Sequence, residues 1–171
     1  MGMWMLQCIH KEIGAVHTFA EMAQMADSSI YPAYIDAADN RFLAPQSMLE
    51  EVKAALHDAH APAPESLSDI LRAVTMGLAV CYDISIKEMS AITGKTFTSI
   101  NIVGGGSANA VLNQMTADVT GLPVYAGPTE GTALGNIAAQ MIEDGAFADL
   151  TAFRKALPDS FEIKEYLPKY K

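Results

Sequence analysis

The sequence is poor in cysteine, histidine and basic residues, and each shortage argues against a class of function. Two cysteines (Cys8 and Cys81) and four histidines among 171 residues form no C-x-x-C or other zinc-binding spacing. Eleven basic against twenty acidic residues give a net charge of −9. This charge disfavours nucleic acid and anionic membrane surfaces. We therefore predict no metal-ligand set, no nucleic-acid partner and no membrane partner.

A long hydrophobic run is also lacking. The opening residues Met1–Leu6 are almost wholly apolar, but a membrane-spanning helix needs about 20 such residues. No basic region precedes them, as a signal peptide would require. A cytoplasmic protein with free thiols is the prediction. Because Leu6 and Ile9 continue a helical stripe, the chain is expected to begin inside a core helix, with a preceding segment missing. An exposed apolar N-terminal helix would favour self-association.

What is present indicates one globular domain, because half of the residues are hydrophobic and 18% are charged. The apolar periodicity of the first half predicts three helices. They span residues 3–25, about 44–60 and about 66–92, and an irregular connection covers residues 31–44. Ser66 and Asp69 have the spacing of a capping box at the start of the third helix.

The second half alternates strands and helices. Residues 100–103 predict a short buried strand, 110–120 a helix, 123–126 a second strand and 129–145 a further helix. This order predicts an α/β fold with a small, mainly parallel sheet packed by several helices. Residues 1–150 are predicted to form the domain and residues 151–171 a loosely held tail. Gly131 and Gly135 indicate that another element, or a ligand, closely approaches the last helix.

The central feature is the run Gly104-Gly105-Gly106 between the first predicted strand and the helix after it. A turn without side chains at a helix N-terminus directs backbone N–H groups outward, which favours phosphate. The fingerprint G-x-G-x-x-G is not met, because Asn109 occupies the sixth position, and no P-loop occurs. From these residues alone, a phosphate site and an ordinary tight turn are both open interpretations.

Several stretches together resemble a known family. The run VGGGSANAVLNQMTADVTGLPVYAGPTEGTALGNIAAQMI resembles the C-terminal lobe of the FGGY carbohydrate kinases, most closely the rhamnulokinases. The stretches MGMWMLQ and IDAADNRFLAP, and the spacing between the three, agree with it. The resemblance covers roughly residues 1–145. It implies an actin-like, ribonuclease-H-like ATPase lobe, and transfer of the γ-phosphoryl group of ATP, with Mg²⁺, to a sugar hydroxyl. In rhamnulokinases the product is L-rhamnulose 1-phosphate.

The resemblance also implies which residues contact ATP or ADP. The glutamine of the family's W-x-L-Q motif corresponds to Gln7, and its nucleotide-contacting glycine to Gly105. Gly104, Gly106 and Asn109 line the same turn. Glycine fits such a position because the backbone must approach the nucleotide without an intervening Cβ.

The resemblance further implies that the catalytic aspartate and most sugar contacts belong to an N-terminal lobe that this sequence does not match. No catalytic residue is therefore predicted in this chain, and the chain by itself is expected to be inactive. Two alternatives stay open: another FGGY kinase acting on xylulose or fuculose, or a stand-alone interaction module that kept the fold without catalysis.

Overall fold

The computed structural model describes residues 2–169, which contain seven α-helices and three strands, with four of the helices preceding the first strand. The helices are α1 (Trp4–Glu12), α2 (Phe19–Ser28), α3 (Met48–Asp58), α4 (Leu67–Thr93), α5 (Ala110–Thr120), α6 (Gly131–Glu143) and α7 (Leu150–Ser160); the strands are β1 (Ile100–Ile102), β2 (Val124–Ala126) and β3 (Lys164–Tyr166). Short 3₁₀ turns cover residues 40–42 and 105–108. The predicted mixed α/β class is confirmed.

The three strands form one sheet in the order β1-β2-β3. Strands β1 and β2 are parallel, with Ile100 opposite Val124, as predicted. Strand β3 is antiparallel to β2, with Tyr166 opposite Val124. The expectation of a mainly parallel sheet is therefore wrong, because the chain reverses within three residues after α7 and runs back along β2. Strand β1 was expected to be buried, but it is half-buried at the edge of the sheet.

The first predicted helix is two helices. Residues Gly14 and Ala15 have φ angles of +73° and +55°, a left-handed conformation that ends α1. Thr18 then caps α2 through a capping box with Glu21. The apolar periodicity continues across this break, and so the pattern alone predicts one helix. Helix α3 likewise begins later than Pro45, after the capping residue Ser47.

Helix α4 is the centre of the core. Its N-terminal half buries Leu71, Val74 and Leu78 completely, and it packs mainly against α2 and α5. The predicted capping box of Ser66 and Asp69 is confirmed. Asp69 also accepts a hydrogen bond from the Ser29 hydroxyl at 2.7 Å, which joins the start of α4 to the end of α2.

The apolar opening of the chain lies inside this core. Met5 and Ile9 are fully buried and Leu6 is 5% exposed, whereas Trp4 is 42% exposed; Met1 lies outside the described residues. The expectation of an exposed apolar N-terminal helix is wrong for these buried positions, because α1 packs against α3 and α4. No helix among residues 2–169 is long and apolar enough to cross a membrane.

The predicted loosely held tail, residues 151–171, is folded onto the rest of the chain up to residue 169. Phe153 of α7 is buried and its ring contacts that of Phe147 edge-on at 5.3 Å. After β3, the Gln114 side chain donates to the Leu167 carbonyl at 2.8 Å. The sequence pattern did not indicate α7 and β3, because this stretch is weakly hydrophobic and few of its side chains are buried. Residues 170 and 171 of the predicted tail lie outside the described residues, and the predicted domain boundary at residue 150 stays a prediction.

Candidate functional site

The three glycines form the turn between β1 and α5. Gly104 has a φ of +78°, which L side chains rarely adopt. Its carbonyl accepts hydrogen bonds from the backbone N–H of Ser107 at 3.0 Å and from the Ser107 hydroxyl at 2.7 Å. Asn109 caps α5 by accepting from the Leu112 N–H at 3.0 Å. The predicted order of strand, glycine turn and helix is confirmed.

Two backbone N–H groups of this turn remain available to bind a ligand. The N–H groups of Ser107 and Asn109 are used inside the turn, where they donate to Gly104 and Gly106. Within residues 2–169, the N–H groups of Gly105 and Gly106 are not seen to donate to the protein. Both lie just ahead of the N-terminus of α5, where the helix dipole is positive. Backbone donors at this place are suited to bind an anionic group.

The space around these glycines differs. A Cβ added to Gly105 would meet no atom within 4 Å, whereas one on Gly106 would lie 3.8 Å from both Ile102 Cγ2 and Met3 Cγ. Gly105 is thus open to a ligand and sterically tolerant of a side chain. Gly106 faces the protein, where it lies against Ile102 and against Met3, the residue before α1.

Met3 links the turn to α1. The sulfur of Met3 lies 4.0 Å from the side-chain nitrogen of Asn109, in addition to its contact with Gly106. Gln7 follows one helical turn later, and its N–H donates to the Met3 carbonyl at 3.1 Å. Since residues four apart share a helix face, the exposed Gln7 lies on the side of α1 that carries Met3. The structure therefore brings the helix of Gln7 to the predicted turn.

A cavity that was not predicted adjoins the same turn. It has a volume of about 380 Å³ and is lined, among others, by Ala108 of the 3₁₀ turn, Ala110 at the start of α5, Thr129, and Lys164 of β3. Sequence reasoning missed Lys164, because it was assigned to a tail. The alternation of apolar and polar residues in 161–164, which leads into β3, was a short signal for extended chain.

The predicted close approach at the last helix is confirmed for one of two glycines. A Cβ on Gly131 would lie 3.1 Å from the Cβ of Val103, the residue after β1, so that a side chain there would fit only if Val103 shifted. Gly135 has open space around it and makes no such contact. Neither a threonine nor any other side chain caps α6.

The turn itself carries no ionisable side chain. Residues 2–169 contain no group of three or more His, Cys, Asp or Glu residues placed to hold a metal ion. A site in which three or more such side chains together hold a metal ion is therefore not formed by the described residues. Cys8 and Cys81 are half-buried free thiols, and burial together with the nearby Glu12 carboxylate raises the pKa of Cys8.

The sequence profile described as the FGGY family of carbohydrate kinases, C-terminal domain, matches residues 1–143. The chain belongs to this FGGY family. The rhamnulokinase of Ligilactobacillus salivarius is 36% identical over 170 residues, which are 99% of this chain and 35% of that protein. The rhamnulokinase of Enterococcus faecalis is 37% identical over 97% of this chain and 34% of its own length. That of Klebsiella pneumoniae is 37% identical over 98% and 34%.

This FGGY chain spans about a third of the length of the curated relatives it matches. The similarity to them covers nearly all of the chain and so includes β3 as well as the glycine turn. The resemblance seen in the sequence is thereby confirmed, and the C-terminal stretch belongs to the similarity.

Proposed function

We propose that this chain is the nucleotide-binding lobe of a sugar kinase that transfers the γ-phosphoryl group of ATP to L-rhamnulose, giving L-rhamnulose 1-phosphate. We include in the proposal that the lobe has the actin-like, ribonuclease-H-like fold and acts in the cytoplasm. The observation that carries the proposal is the glycine turn, with two available amides beside the helix that bears Gln7. The name of the curated relatives supports L-rhamnulose as the acceptor.

The residues have separate roles in this proposal. The N–H groups of Gly105 and Gly106 donate to a phosphate oxygen, and the positive end of α5 strengthens both bonds. Gly105 lets the nucleotide approach the backbone, because no side chain stands over it. Gln7 contacts the nucleotide from α1. Asn109 holds the start of α5 in place through its cap.

The chemical step needs groups that these residues do not supply. Phosphoryl transfer depends on positioning two substrates and on stabilising charge on the transferred group from both sides. The turn is one side of such a site. When bound, Mg²⁺ would neutralise charge on the phosphates of ATP; since the described residues offer no ligand set for it, we assign none of them to the ion.

Calorimetric titration with Mg-ADP tests the proposal. A half-site of this kind should bind no more tightly than ~1 mM, which corresponds to roughly 4 kcal/mol. Gly105→Val should abolish binding without unfolding the domain, because its added side chain meets no protein atom within 4 Å at the Cβ and projects toward the ligand. Gly135→Val, with equally open surroundings on α6, is the matched control and should bind normally. Binding that Gly105→Val leaves unchanged would place the nucleotide elsewhere.

The acceptor sugar requires a second experiment. A chimera carrying this chain in place of the matched third of the Klebsiella pneumoniae relative should phosphorylate L-rhamnulose, and Gly105→Val should suppress that activity. A folded chimera that binds sugar but turns over no ATP would contradict the role as nucleotide lobe. Reading the coding DNA upstream of Met1 for a glycine-rich hairpin and a G-D-x-x aspartate tests whether the chain is naturally part of such a kinase.

A further inference from the structure

The cavity beside the glycine turn has a wall that backbone contacts hold in place. The Gly104 N–H donates to the Pro128 carbonyl at 3.1 Å, which joins the turn to the segment after β2. A Cβ on Gly127 would lie 2.7 Å from the Glu162 carbonyl oxygen, so this segment closely contacts the one that leads into β3. Among the described residues, those that line the cavity include members of β2 and β3 and none of β1. The cavity and the turn are therefore parts of one framework.

Two charged side chains of opposite sign line this cavity, Lys164 of β3 and Glu162 just before it. Lys164 is paired with Ala126 of β2, and directly opposed residues of two strands have their side chains on the same face of the sheet. Ala126 also lines the cavity. Glu162 lies two residues before Lys164, and residues two apart in extended chain share a face. The strand register therefore directs both charged groups to the side of the sheet where the cavity lies.

The two charged groups stand side by side without a close hydrogen bond between them. The Lys164 Nζ lies 3.8 Å from the Glu162 Oε1, whereas a hydrogen bond of this kind is about 2.7–2.9 Å long. The two side chains are 60% and 78% exposed, and so the pair contributes little to the stability of the fold. Both groups are thus able to bond to a ligand that presents an acceptor next to a donor.

The other residues that line the cavity suit a flat, partly apolar ring. Ala108, Ala110 and Ala126 contribute only methyl groups, and Phe161 and Tyr166 contribute aromatic rings. Nucleobases stack on aromatic side chains, and proteins read a base by combining such stacking with hydrogen bonds to its edge. The volume of about 380 Å³ falls in the range of small-molecule sites, about 300–1,000 Å³. The lining therefore fits a nucleobase.

We propose that Lys164 and Glu162 hold the adenine base of the nucleotide in this cavity. The Lys164 ammonium donates to N1 of the base, and the Glu162 carboxylate accepts from the adjacent 6-amino group. This arrangement rests on the proposed function, in which the N–H groups of Gly105 and Gly106 bind phosphate. Ala108 follows Gly106 by two residues, so at most about 7.6 Å separate their Cα atoms. The ribose of one nucleotide can span the two places.

Titration of the full chain with base analogues of Mg-ADP, followed by NMR, tests which atoms of the base are bound. Lys164→Met should weaken binding of Mg-ADP about 5-fold through the loss of one hydrogen bond. It should not change the affinity for 1-deaza-ADP, which lacks N1. Glu162→Met should likewise weaken Mg-ADP but not purine riboside 5′-diphosphate, which lacks the 6-amino group. Lys155→Met removes the same charge at an exposed position of α7 outside the cavity, and this control should bind like the wild type.

The outcomes separate this proposal from the proposed function. Nuclear Overhauser effects from H2 or H8 of ADP to the methyl groups of Ala108 and Ala110 should place the base in the cavity. Lys164→Met and Glu162→Met that bind Mg-ADP like the wild type, while Gly105→Val does not bind, would overturn this proposal and keep the proposed function. Losses of equal size for Mg-ADP and for both analogues would overturn the assignment to N1 and the 6-amino group. A wild-type chain that binds no Mg-ADP would overturn both proposals.

Discussion

Met3 and Gly106 lie against one another, such that a Cβ built on Gly106 would be 3.8 Å from the Met3 Cγ. This contact joins the beginning of the first helix to a turn in the second half of the chain. It places α1 beside the available amides of Gly105 and Gly106, and Gln7 lies one helical turn away from it. The candidate site is therefore assembled from two distant stretches of sequence.

Gln7→Ala should weaken binding of Mg-ADP about 5-fold, equivalent to roughly 1 kcal/mol for one lost hydrogen bond. The free energy of unfolding should stay unchanged, because Gln7 is exposed. Gln24→Ala, at an exposed position on α2, is the matched control and should bind like the wild type. Equal affinities of the two variants in a calorimetric titration would remove Gln7 from the site.

The isolated 171-residue chain should show no phosphorylation of L-rhamnulose by ATP. Its turn can bind one side of a nucleotide, but the groups that orient the sugar hydroxyl are expected outside this chain. A coupled assay for ADP release, with the chimera as positive control, measures this. Sustained turnover by the isolated chain that Gly105→Val abolishes would show that the catalytic group lies within it.

Glu12 makes the connection between α1 and α3 sensitive to acid. Its carboxylate accepts hydrogen bonds from the Leu49 N–H at 3.1 Å, the Ser47 hydroxyl at 2.9 Å and the Met48 N–H. Burial by itself would raise the pKa of Glu12, but these three bonds outweigh it and lower the pKa below its ordinary 4.5. The ionised form is thus favoured by folding. This stabilisation is complete above the unfolded-state pKa and is lost as the pH falls through the lower folded-state pKa.

Glu12→Gln should therefore destabilise the protein at neutral pH by about 0.5–1 kcal/mol, the size of an exposed helix-cap interaction. The difference from the wild type should shrink as the pH falls below 4.5, where Glu12 becomes protonated. Urea unfolding at several pH values measures both effects, with Glu88→Gln at an exposed position on α4 as the control. A difference that is independent of pH would contradict the assigned role of the carboxylate.

Gly77→Ala should destabilise the fold by about 1–3 kcal/mol through overpacking. A Cβ at this buried position of α4 would lie 2.4 Å from the Ile35 carbonyl oxygen, and a backbone atom cannot move aside cheaply. The gain of about 1 kcal/mol in helix propensity is smaller than this cost. Gly135→Ala, with open surroundings on α6, should instead stabilise the protein. Thermal unfolding of the two variants should therefore shift in opposite directions.

The sequence by itself determined the mixed α/β class, the strand–glycine–helix turn and the family, because each depends on local pattern or on specific runs of residues. The capping box of Ser66 and Asp69 was readable for the same reason, since its two residues are three positions apart. The available amides of Gly105 and Gly106 also follow from local chain geometry.

The remaining features of the fold and of the candidate site could be determined only from the tertiary structure. The break at Gly14 and Ala15 is invisible in the apolar pattern, because both helices around it bury the same kind of residue. Strand β3 forms because it pairs with β2, and its weakly apolar residues do not indicate that partner. The exposure of β1 and the contact of Met3 with Gly106 depend on which elements meet across the chain. Local periodicity carries no information about such long-range contacts.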